Sequence, residues 1–451
     1  MRNQLSRMDG EGNSGAVRWL ALAVVTLVMA GALALALVVG RAPVLSEWID
    51  DPRFFRRALV VHVVLSLWGW FMAYAAGLRS LVDGPGKRWR RRTSLGLAAG
   101  GVAAMVGSSA IRGAEPLLVN YIPVVDHPVF LAGLAAFFAG VALELCRPPR
   151  IAPAAERSIP AASAIAWRAT APVAVIAFVV FALSWWKTPR DLAGDLYYEL
   201  LFWGVGHTLQ VVSVLVMIGA WFYLLRDRRE RSPVGPRASL AISAALILPW
   251  VIAPFLTLSG TTDGTYIRGF TRLMQFGIAG PVVVALLLCL PALRARGAVR
   301  AGRWAFVTSA ALTVVGFGLG AMIRGSDTMI PAHYHASLGA ITVALMALSF
   351  ALIAVRGWAP EHRWWRRLSA AQPVVFGAGQ LIFVAGFAVS GFFGADRKAY
   401  GADQIIDSTG AFVGLATMGI GGVTAVVGGA GFLILLSVVC KQRITQLWRT
   451  R

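Results

Sequence analysis

Twelve long apolar stretches dominate this sequence, and they constrain its fold more than any other feature. A helix that crosses a lipid bilayer needs about 20 mostly apolar residues, and each stretch comes close to that length or exceeds it. They cover residues 17–40, 57–78, 93–111, 120–145, 165–186, 196–225, 238–258, 269–293, 304–323, 331–355, 371–394 and 408–440. The sequence therefore predicts an all-α, polytopic membrane protein with twelve transmembrane helices, which form a single membrane domain over residues 1–451.

The composition agrees with this class and excludes others. Only 14% of the 451 residues are charged, against roughly 25% in an ordinary soluble protein, so a cytosolic enzyme of the usual kind is excluded. A chain that is 57% hydrophobic is also far from the composition of a disordered protein. The three cysteines form no CxxC or CxxCH motif, and this leaves a disulfide framework, a zinc knuckle and covalently attached c-type haem without support.

The basic residues alternate from loop to loop. The net charge is +21, and 30 of the 42 Lys and Arg residues lie in the two termini and in the loops after even-numbered stretches, together with only 8 acidic residues. The other loops hold 12 basic and 13 acidic residues. Because cytoplasmic loops are enriched in Lys and Arg, the pattern predicts a bacterial inner-membrane protein with both termini in the cytoplasm. It also accounts for the charge without nucleic acid, so membrane lipid is the expected surrounding and no nucleic-acid partner is expected.

Five of the six histidines fall in the outer half of this arrangement: His62, His127, His207, His333 and His335. An imidazole in hydrocarbon is costly without a partner and marks a functional site by default. His333 and His335 are two residues apart, so their side chains point about 200° apart around one helix. They cannot easily hold one metal ion together, but they can serve two groups on opposite sides of the helix. A flat macrocycle clamped between His335 and His62 would be a six-coordinate, electron-transferring haem.

His127 allows two interpretations, which stay open at this point. It stands in the segment Asp126-His127-Pro128, at the start of the fourth stretch. It is either an interfacial histidine beside a carboxylate, or a replacement ligand or propionate contact whose ring Asp126 orients.

Several of these segments resemble subunit I of the haem–copper oxidases. Residues 327–335, DTMIPAHYH, resemble the tenth helix of that family, and residues 201–207, LFWGVGH, resemble the sixth helix. His62 falls where the second helix carries a haem ligand, and residues 397–398 resemble the two basic residues before the last helix. Twelve helices with both termini inside also match, so the resemblance covers nearly the whole chain.

The resemblance implies cofactors and a role for each residue. Two haems are implied, one low-spin with two histidine ligands and one high-spin, and haem b is the expected type. His62 and His335 would ligate the low-spin haem iron, and His333 would ligate the high-spin haem iron. His207 would be the first copper ligand at the distal site. Two further residues would pair with haem propionates: Arg397 and Lys398. Electrons would come from a partner subunit, a periplasmic cytochrome c or quinol.

The sequence departs from the family at the copper and proton positions. Residues 249–260, PWVIAPFLTLSG, contain no histidine where the family has an adjacent His–His pair. After His207 the chain has Leu209 and Val211 in place of a glutamate and a tyrosine, and residues 280–285 are apolar where the family has a lysine. Because one imidazole alone does not hold copper tightly, we expect a degenerate copper site and no proton pumping.

Three functions remain open. The first is a dihaem redox protein that transfers electrons or binds O2 or NO at the high-spin haem. The second is an active terminal oxidase or NO reductase with an unusual metal centre, so the sequence leaves enzymatic activity undecided. The third is a non-redox membrane transporter, which would leave the five histidines unexplained.

Overall fold

The computed structural model describes residues 11–39, 51, 53–84, 86–148, 159–227, 229–295, 300–325, 327–395 and 408–449. Within these ranges, eleven helical segments are long and apolar enough to cross a membrane. They match eleven of the twelve predicted stretches in order. The chain is an all-α, polytopic membrane protein, as predicted.

The first of two compact units comprises residues 1–216 and 235–285. One π-helical turn, Leu65–Gly69, interrupts its second membrane segment, and one 3-10 turn, Leu248–Ile252, interrupts its seventh. A short antiparallel hairpin is formed by β1 (Glu115–Leu117) and β2 (Val124–Asp126). The helices that lie wholly or mostly in this unit are α1 (Glu11–Val39), α2 (Phe54–Val64), α3 (Trp70–Asp83), α4 (Arg88–Ser108), α5 (Pro128–Leu145), α6 (Ala161–Arg168), α7 (Thr170–Lys187), α8 (Gly194–Leu224), α9 (Pro236–Ile247), α10 (Ala253–Leu258) and α11 (Gly264–Cys289).

The second unit comprises residues 217–234 and 286–451. After a 3-10 turn at Leu290–Leu293, it contains α12 (Arg300–Met322), α13 (Met329–Val355), α14 (Arg363–Phe392) and α15 (Thr409–Arg449). The last two helices pack at very short range, because a Cβ atom at any of five glycines would meet the backbone of the opposite helix: Gly379, Gly386, Gly414, Gly421 and Gly428. Small residues that let helix backbones approach are typical of helix packing in membranes. The single domain predicted over residues 1–451 stays a prediction.

Helix α4 corresponds to the third predicted stretch, but it is absent from the eleven apolar segments of the described chain. Four of its first five residues are arginines, and these lower its apolarity. Its length of 21 residues gives about 31 Å at 1.5 Å per residue, which is enough to cross the hydrocarbon layer. Gly101 of α4 and Gly133 of α5 lie in close contact, so α4 packs in the same manner as the membrane helices.

The fourth predicted stretch begins too early. A helix from residue 120 is wrong, because α5 begins only at Pro128 and the preceding residues form the β1–β2 hairpin. Pro128 suits the first position of a helix, where its missing N–H is not needed. The difference matters for function, because the hairpin loop between the two strands contributes a side chain to the site described below.

Candidate functional site

His62 lies on α2, three residues before the π-helical turn. Its Nδ1 is 2.8 Å from the carbonyl oxygen of Ala30 on α1. A carbonyl oxygen only accepts hydrogen bonds, so Nδ1 carries the proton and Nε2 of the neutral ring keeps its lone pair. A histidine that ligates a metal through one nitrogen usually donates from the other nitrogen in this way. The half-buried His62 ring therefore has an unprotonated Nε2, as a metal-ligating histidine requires.

His333 has the same arrangement in the other unit. Its Nδ1 is 2.7 Å from the carbonyl oxygen of Gly316 on α12, so its Nε2 also keeps a lone pair. Gly320, one helical turn further along α12, gives the ring its space, because a Cβ atom there would lie only 2.7 Å from Nδ1 of His333. The donor atom and the space beside it both fit a haem-iron ligand.

His335 faces a different helix from His333. Its ring lies edge-on to Phe383 of α14 at a centroid distance of 4.9 Å and stacks on Phe387 at 5.8 Å. His333 contacts α12 and His335 contacts α14, so the two rings lie on different sides of α13. Two rings on different sides of a helix are able to contact two separate groups.

His207 lies in the middle of α8 and is only 2% exposed. Its Nδ1 is 2.7 Å from the carbonyl oxygen of Trp203, one turn earlier in the helix. Its Nε2 is 2.7 Å from the phenol oxygen of Tyr121. Because the Trp203 carbonyl fixes the proton on Nδ1, Nε2 of the neutral ring accepts and the Tyr121 hydroxyl donates. Both nitrogens of His207 are thus engaged within the protein.

Tyr121 reaches His207 from the loop of the β1–β2 hairpin, which several contacts attach to the helices. Its carbonyl oxygen accepts a hydrogen bond of 2.7 Å from the indole N–H of Trp68, which belongs to the π-helical turn. Asn120 donates to the Glu199 carboxylate of α8 from its backbone N–H at 2.7 Å and from its side-chain Nδ2 at 2.6 Å. Burial raises the pKa of the Tyr121 phenol, so the hydroxyl keeps its proton and acts as a donor.

The sequence pattern did not single out Tyr121, because the apolar residues around it were assigned to a membrane helix. Two local signals marked the loop: Pro123, which disfavours a helix, and the segment Asp126-His127-Pro128, in which a proline follows a polar residue at the usual start of a helix. The contact with His207 spans 86 residues, and no local pattern predicts it.

His127 caps the N-terminus of α5. Its Nδ1 accepts a hydrogen bond of 3.2 Å from the backbone N–H of Val129. The carboxylate of Asp126 accepts instead from the Tyr198 hydroxyl at 2.9 Å. The contacts of His127 are thus those of a residue at a helix end, and the alternative role as a metal ligand stays a prediction. Both predicted propionate partners, Arg397 and Lys398, lie outside the described residues.

The side chains around His207 do not fit a copper ion. In the described ranges no three His, Cys, Asp or Glu side chains come together as a metal-binding group. The segment that lacks the histidine pair contains the fully buried Trp250. The ring of Trp250 lies 6.4 Å from Phe270, whose ring lies 6.0 Å from His207. Aromatic rings therefore surround His207 where a copper centre would need imidazoles.

Comparison with known proteins places the chain in a family. Residues 15–425 match the family model described as cytochrome C and quinol oxidase polypeptide I. An uncharacterized protein of Aquifex aeolicus (strain VF5) is 28% identical over 75% of this chain and 85% of its own length. An uncharacterized protein of Rickettsia prowazekii (strain Madrid E) is 24% identical over 95% of this chain and 96% of its own length. The matched range contains all the histidines discussed above, and membership implies an oxidase-like membrane protein that binds haem. The chain belongs to the family of cytochrome c and quinol oxidase polypeptide I.

Proposed function

We propose that this protein is a dihaem redox protein of the oxidase subunit I type, with a degenerate copper site and no proton pumping. It transfers electrons, binds O2 or NO at a high-spin haem, or does both. The observation that carries the proposal is shared by His62 and His333. Each ring donates from Nδ1 to a main-chain carbonyl oxygen and leaves Nε2 as a donor atom for iron.

In this proposal His62 and His335 ligate a low-spin haem, and His333 ligates a high-spin haem. A bound haem would supply a one-electron couple and a site for a diatomic ligand. The protein fixes the tautomer and the ring plane of His62 through Ala30 and those of His333 through Gly316. The rings of Phe383 and Phe387 hold His335 in place. Arg397 and Lys398 are the proposed propionate partners, and haem b is the expected type.

The buried side chains at the positions of the family's two proton routes support the proposal that this protein does not pump protons. Leu209 and Val211 on α8 are 6% and 0% exposed, and Val282 and Ala285 on α11 are fully buried. None of these four side chains binds a proton, so they cannot replace the ionisable residues that the family pattern has there. We propose on this ground that no proton relay crosses the membrane along these two routes.

The proposed orientation in the membrane follows from the charge pattern of the loops. The termini and the arginine-rich loops are proposed to lie in the cytoplasm of a bacterial inner membrane. The described part of the chain contains no covalent haem motif of its own, so electrons are proposed to arrive from a partner subunit, a periplasmic cytochrome c or quinol.

A reduced-minus-oxidised spectrum with metal analysis of the purified protein tests the proposal. Two b-type haems and no stoichiometric copper are expected. Replacing His335 with alanine should remove the low-spin signal, whereas His362→Ala, at the exposed start of α14, should leave both signals in place. A protein without haem would refute the proposal. One copper or non-haem iron per chain, together with consumption of O2 or NO, would instead support a terminal oxidase or NO reductase.

A further inference from the structure

We propose that Tyr121 permanently occupies Nε2 of His207 and, because the Trp203 carbonyl oxygen occupies Nδ1, that the chain itself closes this site to copper. The inference deepens the proposed function and rests on its placement of His207 at the distal site. The contact is made by two side chains of the protein itself.

The geometry leaves no room for a metal ion on Nε2 of His207. The Tyr121 oxygen lies 2.7 Å from Nε2, and the two ring centroids are 4.2 Å apart. A metal ion bound to an imidazole lies about 2.0–2.1 Å from the nitrogen, in the direction of its lone pair. The phenol hydrogen bond uses that same lone pair. A metal ion and the Tyr121 hydroxyl therefore compete for one place, and only displacement of the tyrosine would admit the ion.

The backbone shows that this position of Tyr121 is enforced. Tyr121 has a φ of 64°, and such a left-handed conformation is rare and strained for a bulky side chain. The loop keeps it because Trp68 binds the Tyr121 carbonyl and Glu199 binds Asn120. Strain that the surroundings maintain at one residue points to a role for that residue.

Helix α8 is shaped to receive the tyrosine. Gly206 directly precedes His207, and a Cβ atom at Gly206 would overlap the Tyr121 side chain. Glycine destabilises the interior of a helix relative to alanine, so the presence of Gly206 is explained by the space it gives to Tyr121. The helix and the hairpin thus fit each other at the nitrogen of His207.

Closure by Tyr121 differs from a simple shortage of ligands. If His207 only lacked companion ligands, its Nε2 would be available and would respond to a metal ion that was added in excess. If Tyr121 closes the site, Nε2 should ignore the metal until the hydroxyl is removed. The two explanations therefore predict opposite behaviour of the unmodified protein.

The experiment uses the haem-loaded protein with 15N-labelled histidine, and it follows the Nε2 resonance of His207 before and after addition of excess Cu(I) alone. In the unmodified protein the resonance should not move. In Tyr121→Phe without Cu(I), the resonance should lie closer to the position of a nitrogen that has no hydrogen bond. Addition of Cu(I) should then shift it further. Tyr197→Phe is the matched control, because its hydroxyl contacts Arg190, and it should behave as the unmodified protein.

A second variant removes the contact without changing either partner. Gly206→Ala should push Tyr121 away and give the same response to Cu(I) as Tyr121→Phe, whereas Gly100→Ala, which meets nothing within 4 Å, should not. A His207 resonance that moves with Cu(I) in the unmodified protein would overturn the inference. So would a Tyr121→Phe resonance that ignores Cu(I), because the site would then lack ligands only. If the unmodified protein showed no haem spectrum, the proposed function would be refuted, but the inference about Tyr121 and His207 would not.

Discussion

Nδ1 of His333 lies 2.7 Å from the carbonyl oxygen of Gly316, and the hydrogen bond holds the imidazole against the backbone of α12. The ring can lie this close because the next turn of the helix has Gly320. The orientation of a proposed haem ligand is therefore set by a neighbouring helix that contributes no ligand of its own. The position of the His333 ring can therefore be tested by replacing Gly320, without changing His333 itself.

Gly320→Ala should displace the His333 ring, because the new Cβ would lie 2.7 Å from Nδ1. We expect most of the high-spin haem signal to be lost while the low-spin signal is retained, as measured by the reduced-minus-oxidised spectrum and the haem content. Gly318→Ala lies on the same helix and meets nothing within 4 Å, so it should leave both signals intact. Equal spectra for the two variants would mean that the contact between α12 and His333 does not position a haem ligand.

His333→Ala and His335→Ala should give different spectra. His333 contacts α12 and His335 contacts α14, so each is expected to serve a different haem. The first variant should lose the high-spin signal and the second the low-spin signal, and electron paramagnetic resonance distinguishes the two. Tyr334→Phe, which lies between them on the exposed side of α13, is the control. If both histidine variants lost the same signal, the two rings would serve one haem.

The helices and the histidines were predictable because local patterns specify them. Apolar runs long enough to cross a bilayer gave the membrane segments to within a few residues at most ends, and the two-residue spacing of His333 and His335 placed them on different sides of one helix. The β1–β2 hairpin was not predictable, because residues of β2 such as Val124 and Val125 are as apolar as a membrane helix. Hydropathy averages them into the following segment, although their backbone pairs as strands.

The hydrogen bond between Tyr121 and His207 could not be predicted from the sequence, for a different reason. Residues 249–260 show that His207 lacks companion histidines. The contact of Tyr121 with Nε2 of His207, in contrast, depends on a loop that Trp68 and Glu199 hold over α8. Such a contact requires the tertiary structure, since neither the hairpin nor the position of its loop has a periodic signal.

The pair formed by Asp51 and Arg57 should make stability depend on pH at the acid end. The Arg57 side chain is fully buried on α2, donates to the Ser109 carbonyl oxygen at 2.9 Å and pairs with the Asp51 carboxylate. The hydrogen bond from Arg57 holds the pKa of Asp51 below its usual 3.8. Because the folded-state pKa is lowered, the contribution is complete above the unfolded pKa and is lost as pH falls through the folded one.

Thermal unfolding in detergent between about pH 3 and pH 7 checks this prediction, since the pKa of a free aspartate lies near 3.9. The melting temperature of the unmodified protein should fall at the acid end. Asp51→Asn should lower it at neutral pH and flatten the acid decline, because no carboxylate is left to titrate. Asp191→Asn, which removes an exposed carboxylate, should keep the unmodified profile. A profile of Asp51→Asn parallel to that of the unmodified protein would assign the decline to other groups.

Gly421→Ala should connect helix packing to the haem site. A Cβ atom at Gly421 of α15 would meet the backbone of Phe383 on α14, and the Phe383 ring lies 4.9 Å from His335. Overpacking of a close contact typically costs 1–3 kcal/mol, so the melting temperature should fall and the low-spin haem signal should shift as Phe383 moves. Gly419→Ala is the matched control, because it lies on the same helix and meets nothing within 4 Å. If Gly421→Ala lowered the melting temperature but left the low-spin signal in place, Phe383 would support the helix pair without positioning His335.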